Sequence, residues 1–454
     1  MQSFEPIAAI STPYGKGGIA VIRMSGDNAI SLAEKMFVSH SGRKLTEVKG
    51  GTAVYGDIFM DGERIDDGIA TVFRSPNSFT GEDTVEVSCH GGMLITQQVL
   101  AAALKSGFRI AGAGEFSKRA FLNGKMSLTK AEAIIDLIDA ENAEQLKLSS
   151  SVSEGVLSSD IDSVCDILSN TLASVYAYID YPDEDLTDMS VSELIDAVDD
   201  VKGRVGRLCS SYKTGRAVKE GVRTAIVGKP NAGKSSLLNR LLGYDRAIVT
   251  DVPGTTRDTV EETASVGRVT LRLCDTAGIR ATDDEVERIG IERSLRAIDE
   301  AELIIAVFDS TLPIDSLDCE VIERLRGCEA EIVCVVNKSD IGHCAFELPY
   351  KTFSVSAKSG LGIDELSSYI SELYVSEKLD YRSTPIISNA RQYAAASKAL
   401  KCLENAFDAL NSGYTQDVAG MDLEAALSSL KEIDGRDVTE DITDKIFSRF
   451  CVGK

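Results

Sequence analysis

The sequence predicts a multidomain protein that joins an α+β part, an α/β part and a helical part. Three observations support this fold class. Residues 1–122 alternate apolar and polar positions as strands do, residues 123–218 and 380–454 carry apolar residues at helical spacing, and residues 219–379 alternate strand and helix signals. The α/β part is therefore expected to be inserted into a helical domain that is discontinuous in sequence, with boundaries at these positions.

The N-terminal segment is expected to form an α+β domain. Short apolar or alternating runs, separated by glycine-rich or polar turns, predict its strands. A helix is expected to open after His90-Gly91-Gly92 and to run through Leu104. The predicted strands cover residues 7–10, 18–24, 52–59, 68–73 and 84–89.

Two helical stretches flank the middle of the chain. Thr129 and Glu132 have the spacing of a capping box, and a long apolar stripe follows them. The acidic, proline-containing segment 181–185 interrupts the stripe, which resumes over residues 192–208, and the helical period returns beyond Pro385. Such stripes indicate the core of a helical bundle. Their apolar positions are Ile161, Val164, Cys165, Leu168, Leu172, Val175 and Ile179, then Leu400, Leu403, Phe407, Leu410, Leu423, Leu427 and Leu430.

The α/β segment is expected to form a doubly wound, mainly parallel sheet. Apolar runs recur at residues 223–227, 269–274, 303–309, 332–337 and 352–355, with helix-like stretches between them. Alternation of this kind is typical of parallel sheets covered by helices. The loops that follow these runs are therefore expected to carry the site.

Composition limits the class of protein. The net charge is −23, and residues 1–122 are nearly neutral, so the rest of the chain carries almost all of the excess negative charge. A broad electrostatic field for nucleic acid is excluded, and any RNA contact is expected to be local. The ten cysteines form no C-x-x-C pair and there are three histidines, so neither a disulfide framework nor a zinc site is expected, and most of the thiols are expected to be reduced core residues. Neither a signal peptide nor a membrane span is expected. The protein is therefore expected to be cytoplasmic.

The most specific motif runs over residues 228–235. It has the form G-x-x-x-x-G-K-S, follows a strand-like run and precedes the helix-like residues 236–242. Its glycines let backbone N–H groups converge on phosphate oxygens at a helix N-terminus. Lys234 is expected to reach the β- and γ-phosphates, and Ser235 to bind Mg²⁺. The motif predicts a nucleoside triphosphate site that includes Asn231, Ala232, Gly233, Lys234, Ser235 and Ser236.

Two further loops have the features of GTPase switch regions. In the first, Thr256 is expected to supply a second hydroxyl to Mg²⁺, as in loops that order around a γ-phosphate. In the second, Asp275 is expected to support the Mg²⁺ shell, and the Gly278 N–H to meet the γ-phosphate. The residues expected to contact nucleotide in these loops are Thr250, Asp251, Val252, Pro253, Gly254, Thr255, Thr256, Asp275, Thr276, Ala277 and Gly278.

The last two motifs predict that the nucleotide is GTP. Asn337, Lys338 and Asp340 end a strand, and a carboxylate at Asp340 can accept two hydrogen bonds from guanine that adenine does not offer. Ser356, Ala357 and Lys358 follow the next strand and are expected to contact the edge of the base. Five motifs in this order specify guanine far better than any one of them alone.

The residue after the second switch motif is Ile279, whose side chain cannot orient a water molecule. Hydrolysis is therefore expected to use another polar group, or else to be slow. Glu287, in an acidic stretch, is a candidate, although a solvated run of charges explains the same pattern.

Together these motifs resemble the bacterial tRNA modification GTPases of the MnmE (TrmE) family over the whole chain. Residues 77–83, 114–117 and 450–454 add to the resemblance, which departs mildly at Tyr14, Lys16 and Val452. It implies an N-terminal dimerisation domain that binds 5-formyltetrahydrofolate or a related one-carbon folate, a discontinuous helical domain and an inserted GTPase domain. It also implies a homodimer that works with a flavoprotein partner, MnmG (GidA), to add a carboxymethylaminomethyl or aminomethyl group to C5 of wobble uridine 34 in tRNA.

The resemblance implies roles for particular residues as well. The folate contacts fall on Arg23, Glu86, Lys125 and Lys454, and the cations among them suit the carboxylates of the folate's glutamate. A K⁺ ion, which with pairing of two GTPase domains activates such proteins, falls on Asn231, Thr250, Val252 and Thr255. Such an ion neutralises charge that develops between the phosphates. Glu287 matches the family's water-positioning carboxylate.

Cys451 has two alternative interpretations. Its thiolate could attack C6 of a uracil ring, or its side chain could line the folate site. The function also has an alternative, a GTP-regulated RNA- or ribosome-binding assembly factor. The acidic helical segments and the lack of a basic appendix are evidence against that alternative.

Overall fold

The chain is described here from a computed structural model, which covers residues 5–180, 190–244, 262–273, 298–342, 344 and 347–453. The chain divides into two compact units. The first comprises Met1–Ile135 and Glu424–Lys454, and the second comprises Asp136–Leu423. Within the described ranges, no helix is both long enough and apolar enough to cross a membrane.

The same ranges contain thirteen strands and thirteen α-helices, numbered here in chain order. The strands are β1 (Ile7–Ile10), β2 (Ile19–Ser25), β3 (Phe37–Ser39), β4 (Thr52–Met60), β5 (Glu63–Phe73), β6 (Thr84–His90), β7 (Arg109–Ile110), β8 (Val222–Val227), β9 (Glu262–Val266), β10 (Val269–Leu273), β11 (Leu303–Asp309), β12 (Glu331–Asn337) and β13 (Lys351–Ser354). The helices are α1 (Ala29–Ala33), α2 (Met93–Ser106), α3 (Glu115–Leu122), α4 (Leu128–Asp139), α5 (Ala143–Glu154), α6 (Val156–Asp180), α7 (Val191–Glu220), α8 (Lys234–Tyr244), α9 (Ser316–Leu325), α10 (Ile363–Tyr374), α11 (Ala390–Asn411), α12 (Gln416–Asp434) and α13 (Glu440–Phe447).

The first unit is built on a seven-stranded sheet of order β3-β4-β5-β6-β2-β1-β7. The neighbouring strands are antiparallel, except that β1 and β7 are parallel. The register of β2 against β6 places Arg23 directly opposite Glu86. Since directly opposed residues of an antiparallel pair share one face, the sheet itself brings these two predicted site residues together.

The two faces of this sheet are buried differently. Ala20, Ile22 and Met24 alternate along β2 and belong to the main apolar core, which also includes residues of α1 and α2. On the opposite face Ile7 and Ala9 of β1 pack with Phe116 of α3. The period of two along each strand explains why neighbouring residues belong to separate clusters. The C-terminal helix α13 packs against α3 in the same unit.

The second unit contains a helical part in which α7 packs against both α6 and α11. The rings of Tyr212 and Tyr393 stack with centroids 4.4 Å apart. The apolar stripes predicted from the sequence are largely buried, which confirms the bundle core. Helix α7 begins with a capping box between Ser190 and Glu193 and continues to Glu220, twelve residues beyond the predicted end at residue 208.

The second unit also contains a six-stranded sheet of order β13-β12-β11-β8-β10-β9. All neighbours are parallel except the β9/β10 pair at one edge. Strand β11 is buried along its whole length, as expected of a central parallel strand covered on both faces. The doubly wound, mainly parallel sheet is therefore as predicted, with an antiparallel edge strand added.

Several local predictions differ from the structure. Strands β3, β7 and β9 were not predicted, and the capping box at Thr129 is wrong. Helix α4 begins at Leu128, the Ser127 hydroxyl accepts the Lys130 N–H at 3.2 Å, and the Thr129 hydroxyl donates to the Ile433 carbonyl and the Asp434 carboxylate. Thr129 is fully buried, so its hydroxyl is used in a tertiary contact instead of a cap.

The cysteines were expected to be mostly reduced residues of the core, and this expectation holds only in part. The nine cysteines of the described ranges are all free, but only three of them, Cys89, Cys165 and Cys334, are buried. Cys319 and Cys451 are exposed.

Candidate functional site

The phosphate loop lies at the carboxyl end of β8, between that strand and α8. Gly228 has a φ of 147°, and a Cβ there would lie 2.3 Å from the Val307 carbonyl oxygen of β11, so only glycine permits this close approach. Asn231 and Gly233 have φ values of 63° and 96°. Left-handed residues in such a loop turn successive N–H groups toward one side, where phosphate oxygens can bind.

Lys234 opens α8, and its side chain folds back over the loop. Its Nζ donates to the carbonyl oxygens of Gly228 at 2.7 Å and Lys229 at 3.0 Å. Burial lowers the pKa of Lys234, because removal from water disfavours the charged ammonium. Ser235 is partly buried, whereas Asn231 and Ser236 are exposed. The loop therefore presents a poorly hydrated cation, which suits the binding of an anion.

The predicted guanine loop is tied to its neighbours by Asn337, whose residue is only 2% exposed. Its Nδ2 donates to the Ala232 carbonyl oxygen of the phosphate loop at 3.1 Å. Its Oδ1 accepts the Ala357 N–H at 3.0 Å. One buried amide thus holds together three loops that the sequence predicts to surround the nucleotide.

The two charged residues of the guanine loop have different surroundings. Lys338 has a φ of 63°, and its Nζ donates to Asp309 Oδ2 at 2.6 Å. Asp340 is exposed, and its carboxylate oxygens can accept hydrogen bonds from a base edge. The Ser356–Lys358 segment is held from the other side by Arg240, whose guanidinium donates to the carbonyl oxygens of Ala357 and Lys358.

Several predicted residues lie outside the described residues. They are Thr250, Asp251, Val252, Pro253, Gly254, Thr255, Thr256, Asp275, Thr276, Ala277, Gly278, Ile279, Glu287 and Lys454. The described part of the nucleotide site therefore consists of the phosphate loop, the guanine loop and the segment after β13.

A second candidate site lies in the first unit, around Arg23. Its Nε donates to Glu86 Oε1 at 2.8 Å, and the two side chains are 18% and 27% exposed. The guanidinium carbon lies 5.1 Å from the ring centroid of Phe79 and 5.7 Å from that of Phe116. A carboxylate and two aromatic rings therefore orient this cation while leaving part of it open to solvent.

The C-terminal tail reaches the same place. The Gly453 carbonyl oxygen accepts hydrogen bonds from Ser11 Oγ at 3.0 Å and from Arg23 at 3.4 Å. Gly453 has a φ of 100°, and a Cβ there would lie 2.1 Å from the Ile10 carbonyl oxygen. Val452 forms an antiparallel bridge with Ala113. The tail is thus built into this site, and the exposed Cys451 lies two residues before Gly453.

Lys125 contacts the loop that carries Phe79. Its Nζ donates to the Pro76 carbonyl oxygen at 2.9 Å, and its side chain packs against Gly81. The loop of residues 76–83 therefore contacts Arg23 through the Phe79 ring. It contacts Lys125 at Pro76 and Gly81. The structure brings Arg23, Glu86, this loop and the C-terminal tail together.

The sequence did not predict the buried network beneath this loop. Arg119, 3% exposed, donates to Glu115 at 2.7 Å, to Glu82 at 3.4 Å and to the Glu5 carbonyl oxygen at 2.8 Å. Glu82 in turn accepts a hydrogen bond from Ser25 at 2.8 Å. The network holds the 76–83 loop in place through Glu82. Its signals in the sequence were the segments 77–83 and 114–117, to which no role was attached.

Family models and full-length relatives match almost the whole chain. Residues 128–451 match a family model described as the MnmE helical domain, and residues 6–125 match one described as the GTP-binding protein TrmE N-terminus. The protein named tRNA modification GTPase MnmE in Thermoanaerobacter pseudethanolicus is 39% identical over 461 residues, which cover 99% of this chain and 100% of that relative. The protein of the same name in Geobacillus kaustophilus is 40% identical over 464 residues and covers 100% of both chains. Among solved structures, Era bound to MgGDPNP and a segment of 16S ribosomal RNA is 28% identical, covering 39% of this chain and 65% of that chain with a TM-score of 0.26.

Proposed function

The chain belongs to the MnmE family of tRNA modification GTPases, and from this premise we propose that it is a K⁺-activated GTPase that modifies wobble uridine 34 of certain tRNAs. Family membership makes the chain a GTPase that acts in tRNA modification. The proposed chemistry is the addition of a carboxymethylaminomethyl or aminomethyl group to C5 of the uracil, carried out by a homodimer with the flavoprotein MnmG (GidA). One observation carries the nucleotide part of the proposal: buried Asn337 ties the phosphate loop to both predicted base-binding segments.

The nucleotide is proposed to lie across these loops. The N–H groups of residues 231–236 and the Lys234 ammonium bind the phosphates, and Asp340 accepts the two guanine donors. Ser235 and Thr256 would hold Mg²⁺, which would neutralise charge on the phosphates. The left-handed loop and the cation held against two carbonyls support this arrangement.

Hydrolysis is proposed to depend on Asn231 and Glu287. Exposed Asn231 offers an amide oxygen on the surface of the phosphate loop, where it can bind K⁺ with Thr250, Val252 and Thr255. Glu287 positions the attacking water, which Ile279 cannot do. K⁺ held by these residues would offset charge that develops as the γ-phosphate leaves, and pairing of two GTPase domains would enclose this site.

The site around Arg23 is proposed to bind the one-carbon folate. The residues present suit such a ligand, since a partly exposed guanidinium suits the carboxylates and aromatic walls suit a flat ring. Glu86 orients Arg23, and Lys125 and Lys454 supply further cations. The bound folate supplies the carbon that is transferred, and the chain's own residues orient it and exclude water.

The experiment that tests the function is nucleoside analysis of tRNA. A strain that lacks the gene should accumulate tRNA without the uridine side chain, as measured by mass spectrometry, and the intact gene should restore it. The variant Lys234→Gln should fail to restore it, because it lacks the phosphate-binding cation. Normal tRNA nucleosides in the deletion strain would refute the assignment.

A kinetic experiment tests the K⁺ proposal separately. GTP turnover should be faster in KCl than in NaCl at equal ionic strength, and Asn231→Ala should remove the difference while retaining GDP binding. Asn239→Ala, at an exposed position of α8, is the matched control and should respond to K⁺ as the unmodified chain does. Equal rates in both salts for the unmodified chain would exclude a role for the cation.

A further inference from the structure

Residues 309–318, here called the bracket segment, join β11 to α9 and lie beside both the phosphate loop and the guanine loop. No nucleotide-binding motif includes them. Their side chains nevertheless form ion pairs with a lysine from each loop.

The bracket segment holds the phosphate loop through Lys229. Lys229 is 8% exposed, and its Nζ donates to Asp318 Oδ2 at 2.6 Å and to Asp315 Oδ2 at 2.9 Å. These hydrogen bonds, that to Asp318 above all, raise the pKa of Lys229. Asp318 is itself 3% exposed, so the ion pair is largely removed from water. Breaking a buried pair by removing one partner is costly, because it leaves the other charge unpaired.

The ion pairs of Lys229 also bear on the position of the Lys234 ammonium. The backbone carbonyl of Lys229 is one of the two that accept hydrogen bonds from the Lys234 ammonium. The carboxylates that fix the Lys229 side chain therefore also limit where this carbonyl can lie. The helix cap adds rigidity, because Asp315 accepts the N–H groups of Leu317 and Asp318 at the start of α9.

The other end of the bracket segment holds the guanine loop. Asp309 Oδ2 accepts the Lys338 ammonium at 2.6 Å, and its Oδ1 accepts the Thr311 N–H and hydroxyl at 2.9 and 2.6 Å. The Ser310 N–H donates to the Asn337 carbonyl oxygen at 3.0 Å. Burial alone would raise the pKa of Asp309, but the hydrogen bonds from Lys338 and Thr311 outweigh it, and the pKa is lowered.

We propose that the bracket segment positions the two halves of the nucleotide site, with Asp315 and Asp318 setting the phosphate loop through Lys229, and Asp309 setting the guanine loop through Lys338. These are positioning residues, since each acts through a lysine that another loop carries. The inference rests on the proposed placement of the nucleotide in these loops. It predicts that the two ends of the segment affect different parts of the ligand.

The test measures dissociation constants of fluorescent GDP and IDP on the full chain. IDP lacks the 2-amino group that Asp340 is proposed to bind. Lys229→Met and Asp318→Asn should each weaken both nucleotides about tenfold and leave the GDP-to-IDP ratio unchanged. The double variant should also bind each nucleotide about tenfold more weakly and no worse, because both changes break the same Lys229–Asp318 ion pair. Asp309→Asn should instead lower the preference for GDP over IDP severalfold.

Three further variants keep the outcome decisive. Lys229→Arg retains a cation and should stay within threefold of the unmodified chain. Lys213 lies on α7 and forms a mostly exposed ion pair with Glu331, so Lys213→Met should change neither dissociation constant. Should Lys229→Met fail to fold, Asp315→Asn, which removes the more exposed carboxylate, should still weaken both nucleotides about threefold.

Two results would overturn the inference. One is nucleotide binding within twofold of the unmodified chain in Lys229→Met, Asp318→Asn and Asp309→Asn. The other is a hundredfold loss in the double variant, which would mean independent effects. Undiminished GDP binding by Lys234→Gln would instead refute the proposed placement of the nucleotide, so the two failures are distinguishable.

Discussion

Replacing Asn337 with alanine tests whether one buried amide holds the nucleotide site together. The change removes a donor to the Ala232 carbonyl and an acceptor for the Ala357 N–H, and leaves both backbone groups unpaired. Each unsatisfied buried group costs about 1–3 kcal/mol, so the two together should lower the unfolding free energy of the variant by about 2–6 kcal/mol. The same loss should loosen three loops at once and weaken GDP binding at least tenfold.

Two linked measurements test this expectation. The chain contains no tryptophan, so urea unfolding is best followed by far-ultraviolet circular dichroism. For the unmodified chain, GDP at a hundred times its dissociation constant should add about 2.7 kcal/mol of stability. A tenfold weaker dissociation constant in Asn337→Ala should reduce that increment by about 1.4 kcal/mol at the same GDP concentration.

The exposed Asn239 of α8 provides a matched control, because Asn239→Ala should alter stability by less than about 0.5 kcal/mol. The reasoning would be refuted if Asn337→Ala matched this control in urea and gained the full increment from GDP. Such a result would mean that the hydrogen bonds of Asn337 do not couple the loops.

Three other predictions concern the first unit. Arg23→Met keeps the alkyl stem but removes the guanidinium, so calorimetric titration with 5-formyltetrahydrofolate should show affinity at least tenfold weaker; unchanged affinity would remove Arg23 from the site. Gly453→Ala should also weaken folate binding, because its Cβ would clash with the Ile10 carbonyl, whereas Gly206→Ala, which meets open space, should not. For Glu115, burial raises the pKa, but hydrogen bonds led by that from Arg109 outweigh it and lower the pKa to about 2. Because the folded pKa lies below the unfolded value, the stabilisation is complete above about pH 4.5 and is lost as the pH falls toward 2. Glu115→Gln should therefore cost roughly 2–3 kcal/mol in urea unfolding at pH 7 and much less at pH 3; an equal cost at both pH values would contradict the assignment.

The phosphate loop and the guanine loop could be located from the sequence because their residues stand in short motifs at strand ends. Each motif has a local conformation, such as the left-handed Asn231 and Gly233, that the residue pattern itself encodes. The residue pattern does not predict which motifs contact each other. The bond from Asn337 to Ala232 spans 105 residues, and no spacing rule connects them.

The site in the first unit was less predictable for the same physical reason. Arg23 and Glu86 are 63 residues apart and meet through the register of β2 against β6, which depends on the whole sheet. Taken singly, each looked like an ordinary surface charge. The resemblance to a family singled them out as expected folate contacts, and the sheet geometry explains why they form an ion pair.

The participation of the C-terminal tail has a consequence for how the first unit folds. Ser11 and Arg23 bind the carbonyl oxygen of a residue more than 400 positions away, and Gly114 lies so close to the Phe447 carbonyl that a Cβ would be 2.4 Å from it. Phe447 and Phe450 form an apolar cluster with Leu128. Without residues 447–453, Phe121 and Leu128 would lose these apolar partners, and the site at Arg23 would lose its contact with the Gly453 carbonyl. The site at Arg23 can therefore be completed only once residues 447–453 are in place, so binding of the proposed folate would report on the integrity of the whole first unit.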